Sequence, residues 1–344
     1  MRIVLDAMGG DYAPRAPVEG ALLYDKEFKG RDQIILVGDK AQIENEIERH
    51  HFTTPRNLKV VHASQVITMH EQPATAIRRK KDSSMVRGLQ MIKEGLADAF
   101  VSAGSTGAQM AASLFILGRI PGVHRPALGA FLPREGGVVL LIDVGANADC
   151  RPINLLQFGL MGSIFIEYIY DVPHPRVGLL NIGEEPGKGN ELTRAAYELM
   201  NEHIPDFVGN VEGRNVLHEV TDVIVTDGFT GNVILKFAES ILEVFGRSFK
   251  RSVGKNIFSL TGAFLVRHAF RDMKRNFDYQ EYGGVPLLGV DGISIICHGS
   301  SSPRALKNAI KVARLMGEKQ VNRHIQQELK TRGMLWEEKP SLQG

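Results

Sequence analysis

Short runs of valine, isoleucine and leucine recur along this chain, and most of them lead into a polar, glycine-rich turn followed by a helical pattern. The runs are continuously apolar and do not alternate with polar residues, which is typical of strands buried on both faces. Strand and helix patterns that alternate in this way predict a mainly parallel sheet covered by helices, a three-layer α/β/α sandwich. The predicted strands are 3–5, 33–37, 58–61, 99–101, 138–142, 176–180, 223–225 and 292–296, and the main predicted helices are 18–28, 73–96, 108–117 and 155–170.

The bulk properties favour a soluble cytoplasmic protein. A length of 344 residues with 43% hydrophobic composition is ample for a large core, and a net charge of +2 gives no indication of nucleic acid binding. Cys150 and Cys297 lie far apart in the sequence, which is typical of a reducing compartment and not of a disulfide scaffold. An acid at Asp6 argues against a signal peptide, and we expect no run of the roughly 18 apolar residues that span a membrane.

The turn from Ser102 to Gly107 has the composition of an anion site. Its small residues let the backbone approach a ligand, and the N–H groups at the start of the following helix favour phosphate. Ser102, Ser105 and Thr106 add hydroxyl donors. The alternative is that a serine caps the helix and the glycines serve tight packing.

Similar turns follow most of the other predicted strands. In open sheets of this class, ligands bind beyond the carboxyl ends of the strands, so we expect these turns to converge on one edge. They would bring together Asp6, Ser105, Thr106, Asn147, Asn181, Lys188, Asp227, Asn232 and His298.

Lys188 and His298 have the chemistry of site residues. Lys188 stands between two glycines, so its ammonium and the neighbouring backbone N–H groups suit a dianion, although an exposed turn lysine is the common alternative. His298 follows a strand and precedes Gly-Ser-Ser, and it is either a proton donor or a structural histidine.

Several known motifs are missing or incomplete. The stretch from Gly183 to Gly189 is one residue short of a P-loop and has no Ser or Thr after Lys188 for Mg²⁺. No G-x-G-x-x-G follows a strand, and the carboxylates at strand ends are more typical of helix caps than of metal ligands. We therefore expect neither a metal nor an organic cofactor.

Seven sequence blocks together resemble the PlsX family of bacterial phosphate acyltransferases. They are DAMGGD at Asp6, VSAGSTGA at Val101, DVGAN at Asp143, NIGEEPGKGNE at Asn181, VTDGFTGN at Val225, EYGGVPLLG at Glu281 and HGSS at His298. The resemblance runs in register from Met1 to about Met316, with Ser105 where many relatives have Asn.

The resemblance implies a reaction and its partners. Acyl-[acyl-carrier-protein] and inorganic phosphate would give acyl phosphate and free carrier protein, with no cofactor. The product would serve a downstream glycerol-3-phosphate acyltransferase in phospholipid synthesis. It also implies a homodimer in the cytoplasm, peripherally associated with the inner face of the cell membrane, and a fold like that of isocitrate and isopropylmalate dehydrogenases. Residues 1–330 would form a single domain, and 331–344 a flexible tail.

The matching blocks imply the site residues. Lys188, Asn232 and His298 are the expected catalytic residues, with Asn147, Asn181 and Asn232 or backbone N–H groups as candidates to stabilise the oxyanion. The expected phosphate and substrate contacts are Asp6, Gly9, Gly10, Ser102, Gly104, Ser105, Thr106, Gly107, Asn147, Asn181, Gly187, Gly189, Asn190, Asp227, Gly231 and Ser300.

The segment 246–277 interrupts the strand–helix pattern. It is rich in Arg and Lys, and its apolar residues fall at roughly helical spacing, so it predicts a projecting helical hairpin with an apolar tip. The tip suits membrane contact, and the alternative is a dimer interface. The tip residues are Ile257, Phe258, Leu260, Phe264 and Leu265.

Two other functions remain open at this point. A nicotinamide- and metal-dependent decarboxylating dehydrogenase would bind a dinucleotide. A non-catalytic module would bind an acidic protein without phosphate-dependent turnover.

Overall fold

An 11-stranded sheet runs through the residues that the computed structural model describes, which are 1–50, 55–134, 137–218, 220–253 and 283–332. Its spatial order is β3-β2-β1-β4-β11-β10-β5-β6-β9-β7-β8. The strands are β1 (Arg2–Asp6), β2 (Gln33–Gly38), β3 (Leu58–His62), β4 (Ala99–Ser102), β5 (Ala127–Arg134), β6 (Gly137–Ile142), β7 (Val177–Asn181), β8 (Phe207–Glu212), β9 (Val223–Val225), β10 (Val285–Leu288) and β11 (Ile293–Ile296).

Helices connect most of the strands. They are α1 (Arg15–Phe28), α2 (Lys40–Arg49), α3 (Pro73–Arg79), α4 (Ser84–Lys93), α5 (Thr106–Ile116), α6 (Pro152–Tyr170), α7 (Glu191–His203), α8 (Gly228–Val253), α9 (Pro303–Glu318) and α10 (Val321–Thr331). All eight predicted strands are present within one or two residues of their expected bounds.

The sheet consists of two parallel blocks that run in opposite directions. Strands β3, β2, β1, β4 and β11 are mutually parallel, and so are β6, β9, β7 and β8. Between the blocks, β10 is antiparallel to β11 and to β5, and β5 is antiparallel to β6. The mainly parallel sheet is confirmed, but the expectation that all polar turns share one edge is wrong, because the carboxyl ends of the two blocks point in opposite directions.

Side chains of each strand alternate between two helical layers, which confirms the three-layer sandwich. In β1, Ile3 and Leu5 join a core cluster that extends across the sheet to residues of α1, α6, α7, α9 and α10. Val4 faces the other side, towards α4 and α5. On that second side the core is split into two clusters, one under α3–α5 and one beneath α8.

Three strands and one helix break were missed from the sequence. β5 contains Gly129 and Pro133, β10 contains Pro286, and Gly209 in β8 has φ +95°. Proline and glycine weaken the strand signal because proline cannot donate to the ladder and glycine packs no side chain. The predicted helix 73–96 is two helices, since the Ser83 side chain accepts from Val86 N and starts α4 anew.

Two predictions concern segments that are described only in part, the hairpin and the tail. The first eight residues of segment 246–277 continue α8 to Val253, and the five predicted tip residues lie outside the described residues. Helix α10 runs to Thr331, the first residue of the predicted tail 331–344; residues 333–344 lie outside the described residues. Within the described ranges, α6 is long and apolar enough to cross a membrane, but 72% of its apolar window is buried, as in a core helix of a globular protein.

Candidate functional site

A cavity of about 320 Å³ opens where the second helical layer is split, between the first turns of α5 and α8. This volume is at the lower end of the range for small-molecule sites, which is about 300–1,000 Å³. Its polar lining consists of Thr106, Gly145, Asn232, Lys236, Glu239, Cys297 and His298, and its apolar lining includes Leu128, Phe131, Val144, Leu235, Val285 and Ile296.

The short central strands explain why turns from both blocks reach this cavity. The start of β10 pairs with the end of β11, through Val285 and Ile296. The end of β10 pairs with the start of β5, and there Gly129 lies opposite Ile142 at the end of β6. The carboxyl ends of β11 and β6 are therefore neighbours although they point in opposite directions, and Thr106, Asn232 and His298 line one cavity.

The turn before α5 presents its helix start to the cavity and keeps its serines inside. Thr106 is exposed and lines the cavity, whereas Ser102 and Ser105 are buried. Ser102 Oγ donates to Asp6 Oδ2 at 2.7 Å and accepts from Gly104 N at 2.9 Å. Ser105 Oγ accepts from Ala108 N at 3.4 Å, so it caps α5. Of the hydroxyls predicted in this turn, Thr106 is the one at the cavity.

The predicted contacts in the first turn of the chain have a structural role. Asp6 is fully buried, and burial raises the pKa of its carboxyl, while bonds from Ser102 and Met8 N oppose the shift. At Gly9 a Cβ would lie 2.7 Å from Ser102 Oγ and 2.8 Å from Gly104 N, so only glycine allows these turns to touch. Gly10 has φ +100°, and the next residue donates its N–H to the Gly299 carbonyl at 2.8 Å. These bonds join the turns after β1, β4 and β11.

The start of α8 is tied to the turn after β6. Asp227 accepts from Thr230 N at 2.9 Å and thus caps α8, and Gly231 packs directly against the Asp143 carbonyl. Asn147 donates its side-chain N–H to Asp143 Oδ2 and to the Pro126 carbonyl, both at 2.8 Å.

Asp143 is the buried centre of this turn. Its carboxylate also accepts backbone N–H groups from Gly145, Ala146 and Asn147. Burial raises the pKa of its carboxyl, and these donors act against that shift. Since Asp143 and Asn147 satisfy each other, the amide that reaches the cavity beside this turn is that of the exposed Asn232 of α8.

His298 is exposed at the cavity and is oriented by Ser300. The Ser300 backbone N–H donates to His298 Nδ1 at 3.2 Å, and the two side chains are 2.8 Å apart. A ring nitrogen that accepts an N–H carries no proton, so this contact selects the neutral tautomer with its hydrogen on Nε2. In this tautomer His298 offers its Nε2–H as a hydrogen-bond donor.

The loop that carries Lys188 does not line this cavity. Lys188 is exposed between β7 and α7, and its carbonyl accepts from Asn181 Nδ2 at 3.1 Å. Asn190 caps α7 by accepting from Thr193 N at 2.9 Å, and Gly189 has φ +94°. Gly187 faces open space. The predicted site residues of this loop therefore do not line the cavity with Thr106, Asn232 and His298. They are Asn181, Gly187, Lys188, Gly189 and Asn190.

Three cavity side chains with polar or titratable groups, those of Lys236, Glu239 and Cys297, were missed from the sequence. Lys236 follows Asn232 by four residues and Glu239 follows Lys236 by three, so Lys236 and Glu239 share one face of α8 with Asn232. This helical spacing was the available signal. Lys236 Nζ lies 2.8 Å from Glu239 Oε2. Cys297 is buried at the cavity wall, and burial raises the pKa of its thiol to about 12.

One group of potential metal ligands exists among the described residues. It comprises Glu19, Glu46 and His50, between α1 and α2. Both carboxylates already pair with arginines, Glu19 with Arg15 at 2.9 Å and Glu46 with Arg49 at 3.3 Å. None of the three ligands lines the cavity.

Two solved structures with a similar fold are phosphotransacetylases. A phosphotransacetylase from Streptococcus pyogenes superposes with a TM-score of 0.60 at 18% identity, covering 92% of this chain and 94% of that one. The EutD phosphotransacetylase from Staphylococcus aureus gives 0.59 at 16% identity, with the same coverage. These likenesses establish the common fold.

Sequence comparison gives much higher identities. The phosphate acyltransferase of Pelotomaculum thermopropionicum is 51% identical over 314 residues, 91% of either chain. That of Geobacter sulfurreducens is 43% identical over 331 residues, 96% of this chain and 95% of the relative. The family model described as fatty acid synthesis protein matches residues 1–324. This protein therefore belongs to the fatty acid synthesis protein family, the PlsX family that its sequence blocks resemble.

Proposed function

We propose that the protein transfers an acyl group from acyl-[acyl-carrier-protein] to inorganic phosphate. The products are acyl phosphate, which supplies phospholipid synthesis through a glycerol-3-phosphate acyltransferase, and free carrier protein. The single observation that carries the proposal is the cavity that combines a helix start at Thr106 with Asn232, Lys236 and His298. The names of the relatives, phosphate acyltransferases, support the same reaction.

The cavity offers a distinct group for each charge that the reaction moves. A phosphate oxygen attacks the thioester carbonyl carbon, a C–O bond forms, and the C–S bond breaks with its electron pair on sulfur. The backbone N–H groups at the start of α5 and the Lys236 ammonium suit the phosphate dianion. Asn232 Nδ2 suits the oxyanion, and His298 Nε2–H suits a hydrogen bond to the departing sulfur. The thiolate takes up the proton that the attacking monohydrogen phosphate loses.

Phosphate is the nucleophile in this scheme, so the protein acts mainly by positioning. Holding phosphate and thioester together removes the entropic cost of their encounter. Lys188, singled out by its sequence motif, stays a candidate beside Lys236 for the cation that binds phosphate.

We further propose a cytoplasmic homodimer that associates peripherally with the membrane. One face of α8 supports the dimer, because its large apolar side chains are at least half exposed at helical spacing. They are Phe229, Val233, Phe237, Ile241 and Val244. The predicted tip residues beyond α8 are the candidates for membrane contact.

Phosphate dependence tests the reaction. The protein is incubated with long-chain acyl-carrier protein with and without inorganic phosphate, released thiol is measured, and acyl phosphate is trapped with hydroxylamine. We expect thiol release and hydroxamate formation only with phosphate, with no nucleotide or nicotinamide added. Undiminished thiol release without phosphate would identify a thioesterase. Carrier binding without turnover would identify a binding module.

A further inference from the structure

An unpaired basic surface lies at the end of α3. It consists of Arg78, Arg79 and Lys81, all exposed, and is called the basic α3 surface below. None of the three forms an ion pair with any residue in the described part of the chain. Their neighbour Lys80 differs, because its Nζ is bound to Glu71 Oε1 and to the Val66 carbonyl, both at 2.7 Å.

The acids next to this surface are already neutralised. Glu71 is held by Lys80, and Asp82 pairs with Arg87 at 2.9 Å. Asp82 also accepts from Ser64 Oγ at 2.6 Å. The three outer cations therefore keep their full charge towards the solvent, which an ordinary mixed-charge surface does not do.

The basic α3 surface is connected to the cavity through α5. Helix α3 packs along α5, and Pro73 Cγ lies 3.1 Å from the Cβ position of Gly107, beside the cavity residue Thr106. At the other end, the Arg78 guanidinium lies 6.0 Å from the ring centroid of Phe115, which is 65% exposed. At about 1.5 Å per residue, Thr106 and Phe115 are roughly 14 Å apart along α5.

We infer that the basic α3 surface, with Phe115, docks an acidic face of the acyl-carrier protein; this rests on the proposed function. Three unpaired cations favour a partner of opposite charge, and Phe115 adds an apolar contact beside them. The separation from Thr106 is one that a thioester on a flexible prosthetic arm spans. An anionic membrane fits less well, because among the described residues of α3 and α5 the exposed large apolar side chains are those of Leu114 and Phe115.

Charge reversal with a matched control tests the docking surface. The test variant is Arg78→Glu/Arg79→Glu/Lys81→Glu. The control, Arg194→Glu/Lys311→Glu/Lys330→Glu, changes the net charge equally at exposed residues of α7, α9 and α10. Each variant is assayed in the presence of phosphate with acyl-carrier protein and with acyl-pantetheine, which has no protein part.

We expect the test variant to raise KM for acyl-carrier protein about tenfold or more, with kcat and the acyl-pantetheine reaction unchanged. The KM of the parent protein should rise with added salt, and that of the test variant should respond much less, because screening acts on the charges that were removed. The control should keep the parent KM.

Three results would overturn the inference. One is equal KM values in test and control variants; another is loss of activity with both donors. The third is loss of binding to anionic vesicles with KM for the carrier unchanged, which would assign the surface to lipid. If the parent protein forms no acyl phosphate, the proposed function fails. Carrier binding by the same variants, measured by fluorescence anisotropy, then still decides the docking surface.

Discussion

Replacing Lys236 with alanine should slow the phosphate-dependent reaction. Among the described residues, Lys236 is the lysine or arginine that lines the cavity, and the substitution removes its charge. Its side chain is 61% exposed and is paired with Glu239 at 2.8 Å. At about 4 Å, two unit charges attract by roughly 1 kcal/mol in water and roughly 4 kcal/mol at an effective dielectric constant near 20. The exposure places Lys236 in the lower part of this range.

We therefore expect a loss of roughly 1–2 kcal/mol of transition-state stabilisation, which is about 5- to 30-fold in kcat/KM for phosphate. Lys236→Arg should retain most of the activity because it keeps the charge. Glu239→Gln should retain or increase it, since a competing anion is removed.

The assay is acyl phosphate formation at varied phosphate concentration, with Lys188→Ala as the matched comparison. The glycine-flanked motif predicts a loss of about 10²-fold for Lys188→Ala, the scale of a lost electrostatic stabiliser. If Lys188→Ala shows that loss while Lys236→Ala stays within twofold of the parent, the assignment of phosphate binding to the cavity lysine is refuted.

Further predictions concern a thiol, two carboxylates and the predicted hairpin tip. Cys297→Ala should keep activity within a few-fold and iodoacetamide should not inactivate at pH 7.5, since a thiol with a pKa of about 12 supplies no thiolate; loss of turnover would indicate an acyl-cysteine intermediate. Lys80 and Ser64 lower the pKa values of Glu71 and Asp82 to about 2, so their stabilisation is present above about pH 4 and is lost as the pH falls towards 2. In Glu71→Gln/Asp82→Asn, the fall in Tm between pH 4.5 and 2 should be shallower than in the parent, and an equal slope would contradict this. Phe258→Asp/Phe264→Asp should abolish sedimentation with anionic liposomes and leave the dimer intact, whereas conversion to monomers would assign the tip to the subunit interface.

The sequence predicts the buried parallel strands well because their signal is local. Continuous apolar runs such as 138–142 need no tertiary information to be identified. The direction of the strands is not local: β10 reverses between β11 and β5, and its Pro286 hides it from pattern analysis. The same limit applies to the site. Thr106 and His298 stand out by their turns, but Lys236 lies inside a helix and becomes a candidate only when α8 is packed against the cavity.

Internal bonding also limits prediction of the site. Ser102 and Asn147 have the chemistry of phosphate ligands, but each donates its side-chain hydrogen bond to a buried carboxylate. Ser102 binds Asp6, and Asn147 binds Asp143. A sequence identifies a residue as a donor but does not identify its hydrogen-bond acceptor, because the acceptor depends on how neighbouring turns pack against each other. Gly9 and Gly231 permit this packing, because a Cβ at either position would clash with the neighbouring turn.

The pairing of β4 with β11 has a consequence for how the chain folds during synthesis. Ala99 lies opposite Ile293, so nearly two hundred residues must leave the ribosome before this edge of the first block is covered. Closing so long a loop is entropically unfavourable and slow, and until then the apolar β4 exposes unpaired backbone groups that can associate with other chains. Chains that terminate before β10 would retain that open edge and also lack His298, so incomplete synthesis yields an aggregation-prone protein without an assembled cavity.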